Sequence, residues 1–479
     1  MLYTTINTLE DDILLRIFSY FRRDDKDAWN VRLGWRKLSH VCQRWRHLVN
    51  SSAFHLGMHI SCTNGTPIVD ILDHLPPLPL FVSYQDTNAM ISEQDELGIY
   101  HALRLRDRVQ TIELDLPPWI LHRFFLLMDE RFPILEVLSL TLTYDPNTTL
   151  TLPKTFLAPN LRHLTLHGVG LPTGLRFLST VSLVTLTLAD IPASAYFSPS
   201  QLVTSLQFLP HLELLYVGFS IPIPRPSAER ELLGIPHEGT HLTLTNLRSL
   251  TFEGVGAYLE CLVSQISAPL LEKLDITLFS QIAFALPHLS HFAFTTEGLK
   301  LPTAGVFFGR NGVIIILHHN DLTPWPNAPF LFRVLCKQLD WQIDCTAQIC
   351  SALMPVLSAV EMLTLNFDAE TMPSEWQNGE IDGTTWHELL RPFIGVKKLS
   401  VCNSLLGEFS RALQVGDAGS DPGLLPCLRE LECLPKGVYK PEQFDPFIDA
   451  RRVAGRRVLL SAEVTPVTMA QLMKLAESP

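Results

Sequence analysis

APNLRHLTL, residues 158–166, carries the pattern that decides how most of this chain folds. Leu164 and Leu166 are two apart, so on a strand both point to one face. Leu161, three residues earlier, falls on the bend that enters the strand. Pro159 fixes φ and disfavours helix in the residue before it, so it ends whatever segment precedes the strand. The same Leu-x-x-Leu-x-Leu pattern, with Pro ahead of it, returns in FPILEVLSL (132–140), LPHLELLYV (209–217), APLLEKLDI (268–276), LPHLSHFAF (286–294) and LPCLRELEC (425–433). Copies without the Pro are RVQTIELDL (108–116), LVTLTLADI (183–191), LTNLRSLTF (244–252), AVEMLTLNF (359–367) and GVKKLSVCN (395–403).

One such strand cannot bury its apolar face alone. A return segment must cover it and the next copy must stack beside it, which is the logic of a repeat array. Neighbouring copies start 18–36 residues apart except for one gap of 73, and most spacings sit near or a little above the period of leucine-rich repeats. The segments 118–130, 257–266, 385–393 and 441–454 have helical apolar spacing and read as returns. Residues 457–461 read as a last strand and 468–477 as a short terminal helix. The expectation is α/β: a curved, leucine-rich-repeat-like solenoid over 107–479, with a mostly parallel sheet. Residues 58–106 form its N-terminal cap, in which 56–85 reads strand, helix, strand. Stretches at about 220–241, 368–384 and 415–424 are rich in Pro, Gly and charge and read as long loops. The span 223–238 is expected to be removable without loss of the fold.

Outward from the array, residues 1–57 are of another kind. In INTLEDDILLRIFSYF (6–21), Ile13, Leu14, Ile17, Phe18 and Phe21 make one apolar stripe on a helix. Thr8 and Asp11 read as a capping-box variant, and Glu10, Asp11 and Asp12 suit the positive end of the helix dipole. In WRKLSHVCQRWRHLV (35–49), Leu38, Val41, Cys42, Trp45, Leu48 and Val49 form a second stripe. Helices this short bury too little surface to be secure alone, so they pack on a neighbouring domain or a partner.

The order Leu9, Ile13-Leu14, Ile17-Phe18, Val41-Cys42, Trp45 resembles an F-box. The family opens on Leu-Pro; here Glu10 follows Leu9. Over nearly its whole length the chain is similar to the F-box-like proteins of mushroom-forming fungi, most closely in NLRSLTFEGVGAYLECL, APLLEKLDI and FIDARRVAGRRV. The resemblance implies a substrate receptor of Skp–cullin–F-box ubiquitin ligases. Leu9, Ile13, Leu14, Ile17, Phe18, Leu38, Val41, Cys42 and Trp45 match the family's docking positions for the adaptor subunit of a cullin-RING ligase, some of them necessarily serving the F-box's own core. Phe18 is the expected anchor of that interface, with internal packing as the alternative.

An unknown target protein would lie on the sheet. The strand residues between the inward leucines line its concave face: His163, Thr165, His167, Tyr216, Thr251, Glu253, Asp275, Thr277, Thr364 and Asn366. This mix is polar and weakly charged and names no ligand.

Composition narrows the field. The formal net charge of −12 argues against a nucleic-acid partner, which needs clustered Lys and Arg. Residues 1–57 hold nine Lys/Arg against six Asp/Glu, a basic head on an acidic body. No apolar run has the length of a membrane span, and the N-terminal stretch lacks the features of a signal peptide, so the expectation is cytosol or nucleus. Nine scattered cysteines include no C-x-x-C pair and read as reduced thiols. No phosphate loop, nucleophile elbow or H-E-x-x-H helix is present. His163 and His167 share a strand face; a metal pair is the sharper reading and solvated histidines the plainer one. No metal, no cofactor and no enzymatic activity are expected. The competing readings are a leucine-rich scaffold outside the ubiquitin system, with a degenerate F-box, and an enzyme hidden in the long loops.

Overall fold

The structure is a computed structural model, and it describes residues 6, 9–21, 34–52, 56, 59–74, 77–85, 91–142, 150–172, 182–220, 241–279, 284–319, 328–336, 339–367, 383–402, 405, 424–434, 444–453 and 455–461. The span 223–238, most of each long loop, and 468–477 lie outside these residues. The chain divides into two compact units, Met1–Tyr196 and Phe197–Pro479. The boundaries expected at 57 and 106 both fall inside the first unit.

The first unit opens with helices α1 (Asp11–Phe21), α2 (Gly34–Ser39) and α3 (Gln43–Ser51). Strand β1 (Ile60–Cys62), helix α4 (Ile68–His74) and strand β2 (Leu80–Gln85) follow, as 56–85 foretells. Helix α5 (Glu93–Arg104), strand β3 (Val109–Leu116), helix α6 (Pro118–Phe125) and strands β4 (Val137–Leu142), β5 (Leu150–Thr151), β6 (His163–His167), β7 (Val169–Gly170) and β8 (Thr185–Ile191) complete it. Its sheet runs β1-β2-β3-β4-β6-β8, every neighbouring pair parallel. The short β5 and β7 pair by themselves.

The second unit holds β9 (Leu214–Phe219), β10 (Leu242–Thr243), β11 (Ser249–Gly254), β12 (Ile266–Ser267), β13 (Lys273–Leu278), β14 (Thr303–Gly309), β15 (Gly312–His318), β16 (Phe330–Leu335), β17 (Met362–Phe367), β18 (Lys398–Cys402), β19 (Glu430–Leu434) and β20 (Leu459–Ser461). Its sheet order is β9-β11-β13-β16-β15-β14-β17-β18-β19-β20. Only β15 is antiparallel to its neighbours.

The leucine pattern does what its spacing requires. The entry positions Leu135, Leu161, Leu183, Leu212, Leu247, Leu271, Val360, Val396 and Leu428 are buried, as are both strand leucines or their substitutes in these nine copies. Each such side chain is worth about 1.5–3 kcal/mol out of water. The two residues after the entry leucine stitch the copies together. The carbonyl before one strand accepts two backbone N–H groups from the next copy: Glu136 from Arg162 and His163, Arg162 from Val184 and Thr185, Glu213 from Arg248 and Ser249, Glu361 from Lys397 and Lys398. The Pro turns fasten copies too. Asn160 Nδ2 donates to the Pro133 carbonyl at 2.7 Å, and Asn246 Nδ2 to that of Pro210 at 2.8 Å.

Two expectations fail within the second unit. LPHLSHFAF is not a strand but a helix, Pro287–Thr295. Pro287 stands in its first turn, where a missing N–H costs nothing. Glu260, buried in the helix Gly256–Val263, accepts the backbone N–H of His288 at 2.9 Å and of Leu289 at 2.8 Å. A carboxylate from a neighbouring helix thus caps this one. Burial holds the Glu260 carboxyl above the usual carboxylate range, against the pull of those two bonds.

The second failure is order. GVIIIL forms the middle strand of a meander, β14-β15-β16, set between β13 and β17. Arg310 and Asn311 turn the hairpin, whose closing pair is Gly309 and Gly312. Gly312 has φ +157°, and a Cβ there would sit 1.9 Å from the Val334 carbonyl oxygen. Among the described residues no helix is long and apolar enough to cross a membrane.

Candidate functional sites: the N-terminal helices and the open sheet face

The N-terminal helices divide the expected docking residues. Leu14, Phe18 and Trp45 are buried with Leu48 and Val49; the Phe18 and Trp45 rings meet edge to face, centroids 4.7 Å apart. Phe18, the expected interface anchor, is only 3% exposed and belongs to the internal core. Cys42 is the N-cap of α3, its sulfur accepting the Trp45 N–H at 3.4 Å. Leu9 and Leu38 are half-buried. Ile13, Ile17 and Val41 face outward at 42%, 43% and 60% exposure, joined by Tyr20 at 53%. Ile13, Ile17 and Tyr20 stand at i, i+4 and i+7, so they form one outward stripe.

The start of α1 is held from α3. Arg44 donates to Asp11 Oδ1 through Nε at 3.0 Å and Nη2 at 2.6 Å, and Nη2 also donates to the Leu9 carbonyl at 2.6 Å. Thr8 of the expected capping box lies outside the described residues; Asp11 serves Arg44. A guanidinium therefore holds the residues that lead into α1.

On the first unit's sheet, register aligns the open face in rows. His163 pairs with Val137 and Thr185; Thr165 with Ser139 and Thr187; His167 with Thr141 and Ala189. His163 Nδ1 lies 3.1 Å from Thr185 Oγ1. His167 Nε2 lies 3.0 Å from Asp190 Oδ2, and that hydrogen bond holds the Asp190 carboxyl below the usual range. Asp190 has φ +48°. The two histidines thus have separate partners, Thr185 and Asp190. Among the described residues no group of three His, Cys, Asp or Glu could hold a metal ion.

On the second unit's sheet, one row runs Tyr216, Thr251, Asp275, Leu331, Ile316, Gly305, Thr364, Ser400, Glu432. The next runs Gly218, Glu253, Thr277, Arg333, Ile314, Phe307, Asn366. The seven expected residues of this unit therefore share a face, but the face is not continuously polar. Phe307, Ile316 and Leu331 are buried in a cluster with Ala328, and half-buried Ile314 packs against it. The meander interrupts the repeat, so the polar alternation read from the motif does not extend through it. Gly305 admits the Phe307 ring, which would lie 2.4 Å from a Cβ there.

On one flank of that cluster, Arg333 Nη1 lies 3.3 Å from Thr277 Oγ1, and Thr277 is buried. Burial raises the Asp275 carboxyl, with Arg333 and Lys273 pulling it back. On the other flank Glu432 accepts from Ser400 Oγ at 2.7 Å and lies 3.1 Å from Lys398 Nζ. Arg333, Asp190 and Glu432 are not among the residues expected from the motif. Arg333 has a signal in the sequence, as the lone charge in FLFRVL, an apolar run outside the motif copies. Nothing in the sequence flags the positive φ of Asp190.

No family model matches the chain, and no curated protein matches it. Among solved structures it is similar to the leucine-rich repeat-containing protein LegL7 from Legionella pneumophila. The sequences are 12% identical, the match covers 84% of this chain and 99% of that one, and the TM-score is 0.23. A likeness of that size carries no functional inference.

Proposed function

We propose that this chain is a substrate-recognition adaptor of an SCF-type, cullin-RING ubiquitin ligase, working by binding rather than catalysis in the cytosol or nucleus. The N-terminal helices dock the ligase's adaptor subunit and the open sheet face holds a target protein. The supporting observation is the sorting of the N-terminal apolar residues. Leu14, Phe18 and Trp45 suffice for an internal core, while Ile13, Ile17 and Val41 keep large apolar side chains turned outward. An F-box needs this double layer: one stripe that holds the helices together and one that meets a partner. The Arg44 clamp on Leu9 and Asp11 answers the departure at Glu10, since it supplies the fixed helix start by another route.

The test is calorimetric titration of the full chain with the ligase adaptor subunit. Ile17→Ser with Val41→Ser should weaken binding roughly 30-fold or more, the loss expected of an apolar anchor worth at least ~2 kcal/mol. Phe18→Ala should instead lower the melting temperature. A parent protein that binds no adaptor subunit removes the ligase reading and leaves the scaffold reading, in which the helices cap the array and the sheet face alone binds.

A further inference from the structure

Two cysteines meet at the end of the meander. Strand β16 stops at Leu335, and Cys336 follows it directly. The helix Leu339–Ala352 comes next in the chain and packs on β15. Gln342 and Cys345 stand on that helix at i and i+3, so they share one face. Gln342 Nε2 donates to the Cys336 carbonyl at 3.0 Å and to the Gly309 carbonyl at 2.8 Å. One turn further on, the Cys345 thiol is hydrogen-bonded to the Cys336 sulfur. Both are free thiols, Cys336 6% exposed and Cys345 4%.

A cysteine that only packs behaves as a small apolar side chain. Cys350, fully buried on the same helix, is of that kind, and burial alone pushes its thiol up. Cys336 and Cys345 differ, because the bond between them divides their roles. A thiol proton held at the Cys336 sulfur favours negative charge there, against the effect of burial. The same bond, with burial and the nearby charge of Asp344, keeps the proton on Cys345. Dithiol chemistry needs this asymmetry: one sulfur attacks as thiolate, and the other resolves the intermediate. It also needs the sulfurs close and held. The helix and the Gln342 bonds hold them in the folded chain, where the reaction gains the advantage of fixed proximity.

We infer that Cys336 and Cys345 are a redox site, which a peroxide oxidises to an internal disulfide that ties the end of the meander to the helix Leu339–Ala352. The Cys336 thiolate attacks one peroxide oxygen and the O–O bond breaks. Hydroxide leaves and takes up the thiol proton as water, and Cys336 becomes a sulfenic acid. The Cys345 sulfur then attacks the Cys336 sulfur. The S–S bond forms, the S–O bond breaks, and the Cys345 proton leaves with the hydroxyl as a second water. The two thiols lose two electrons and the peroxide gains them. Peroxide is little larger than water, so it enters where bulkier thiol reagents do not. The site is independent of the ligase reading, since neither cysteine belongs to the N-terminal helices or to the open-face rows.

The probe is hydrogen peroxide on the folded full chain. Remaining thiols are then alkylated in denaturant, and the unreduced digest is read by mass spectrometry. The expected product joins Cys336 to Cys345, is two hydrogens lighter than the dithiol and reverts with a reducing thiol. Chain unfolded in guanidinium during the peroxide step should yield far less of it. Cys345→Ser should leave a sulfenic acid on Cys336 that dimedone traps, whereas Cys336→Ser should leave none on Cys345. Cys350→Ser should form the disulfide as the parent does. The first two readouts need no substitution, so a variant that fails to fold leaves the test intact. Absence of the 336–345 disulfide from the folded parent overturns the proposal. So does a disulfide from Cys345 to Cys350 in its place, or an equal yield from the unfolded chain.

Discussion

Glu260→Ala is the sharpest probe of how the second unit is held together. The carboxylate is buried and accepts two backbone N–H groups at the start of the helix Pro287–Thr295. Truncation leaves two donors without their acceptor, one of them buried, at about 1–3 kcal/mol for each such group. It also removes the burden of a buried ionised group, which offsets part of that loss. A net destabilisation of about 2–4 kcal/mol follows. The expected local sign is loss of amide hydrogen-exchange protection over 287–295, before the strands of the sheet open. The acidity of Glu260 adds a second reading. Its carboxyl is raised in the folded state by burial. The folded form therefore holds its proton to higher pH than the unfolded form. The associated stability is full below the ordinary glutamate range and is lost as pH rises through the raised value. Glu260→Gln, which keeps one acceptor and never ionises, should gain on the parent as pH rises through that window. Guanidinium titration of the three proteins at pH 4 and pH 7 measures both effects. Equal stability of Glu260→Ala and parent, with unchanged protection of the 287–295 amides, would refute the capping argument.

Gly312→Ala should destabilise the second unit by about 3 kcal/mol, since its Cβ meets the Val334 carbonyl oxygen and the backbone must move; chemical denaturation reads it. Gln342→Leu removes donors to the Gly309 and Cys336 carbonyls, at 2.8 and 3.0 Å, and should cost about 2 kcal/mol in the same assay. Cys427 is exposed and Cys42 half-buried, whereas the other seven cysteines are buried. Under native conditions a thiol reagent should label Cys427 first, Cys42 more slowly and the rest only on unfolding; early labelling of Cys350, whose thiol burial pushes well up, would contradict the core packing.

Ten of the eleven motif copies lie where the structure has strands, because two inward leucines after a bend leave the backbone little else to do. The failing copy, LPHLSHFAF, shows the limit of the motif. Its leucine spacing equally fits a helix. The carboxylate that caps that helix, Glu260, stands well upstream of Leu286, outside any window the length of the motif. The run Gly312–Leu317 has the length of a buried strand and is one, β15, but its place in the sheet is not legible. Its neighbour β14 is buried along its whole length and shows no alternation to read. At the candidate sites, strand parity put the expected residues of each unit on one shared sheet face, because side chains on a strand alternate strictly. It could not tell an open row from one that an apolar cluster closes. The N-terminal stripe was legible as a stripe, but a helix stripe has two edges. Only packing shows that Phe18 turns in toward Trp45 while Ile17 turns out.

The meander also sets how the second unit comes apart. In a plain array each strand pairs with the next in the chain, so the array can unzip one copy at a time. Pulled from its C-terminal end, this unit can release β20, β19, β18 and β17 in that way. The next strand in the chain is β16, and it lies inside the sheet, gripped by β13 on one side and β15 on the other. It cannot leave without breaking both pairings, so β14, β15 and β16 come away together. Under force the chain should lengthen in short steps and then in one long one, a mechanical clasp in the middle of a zip.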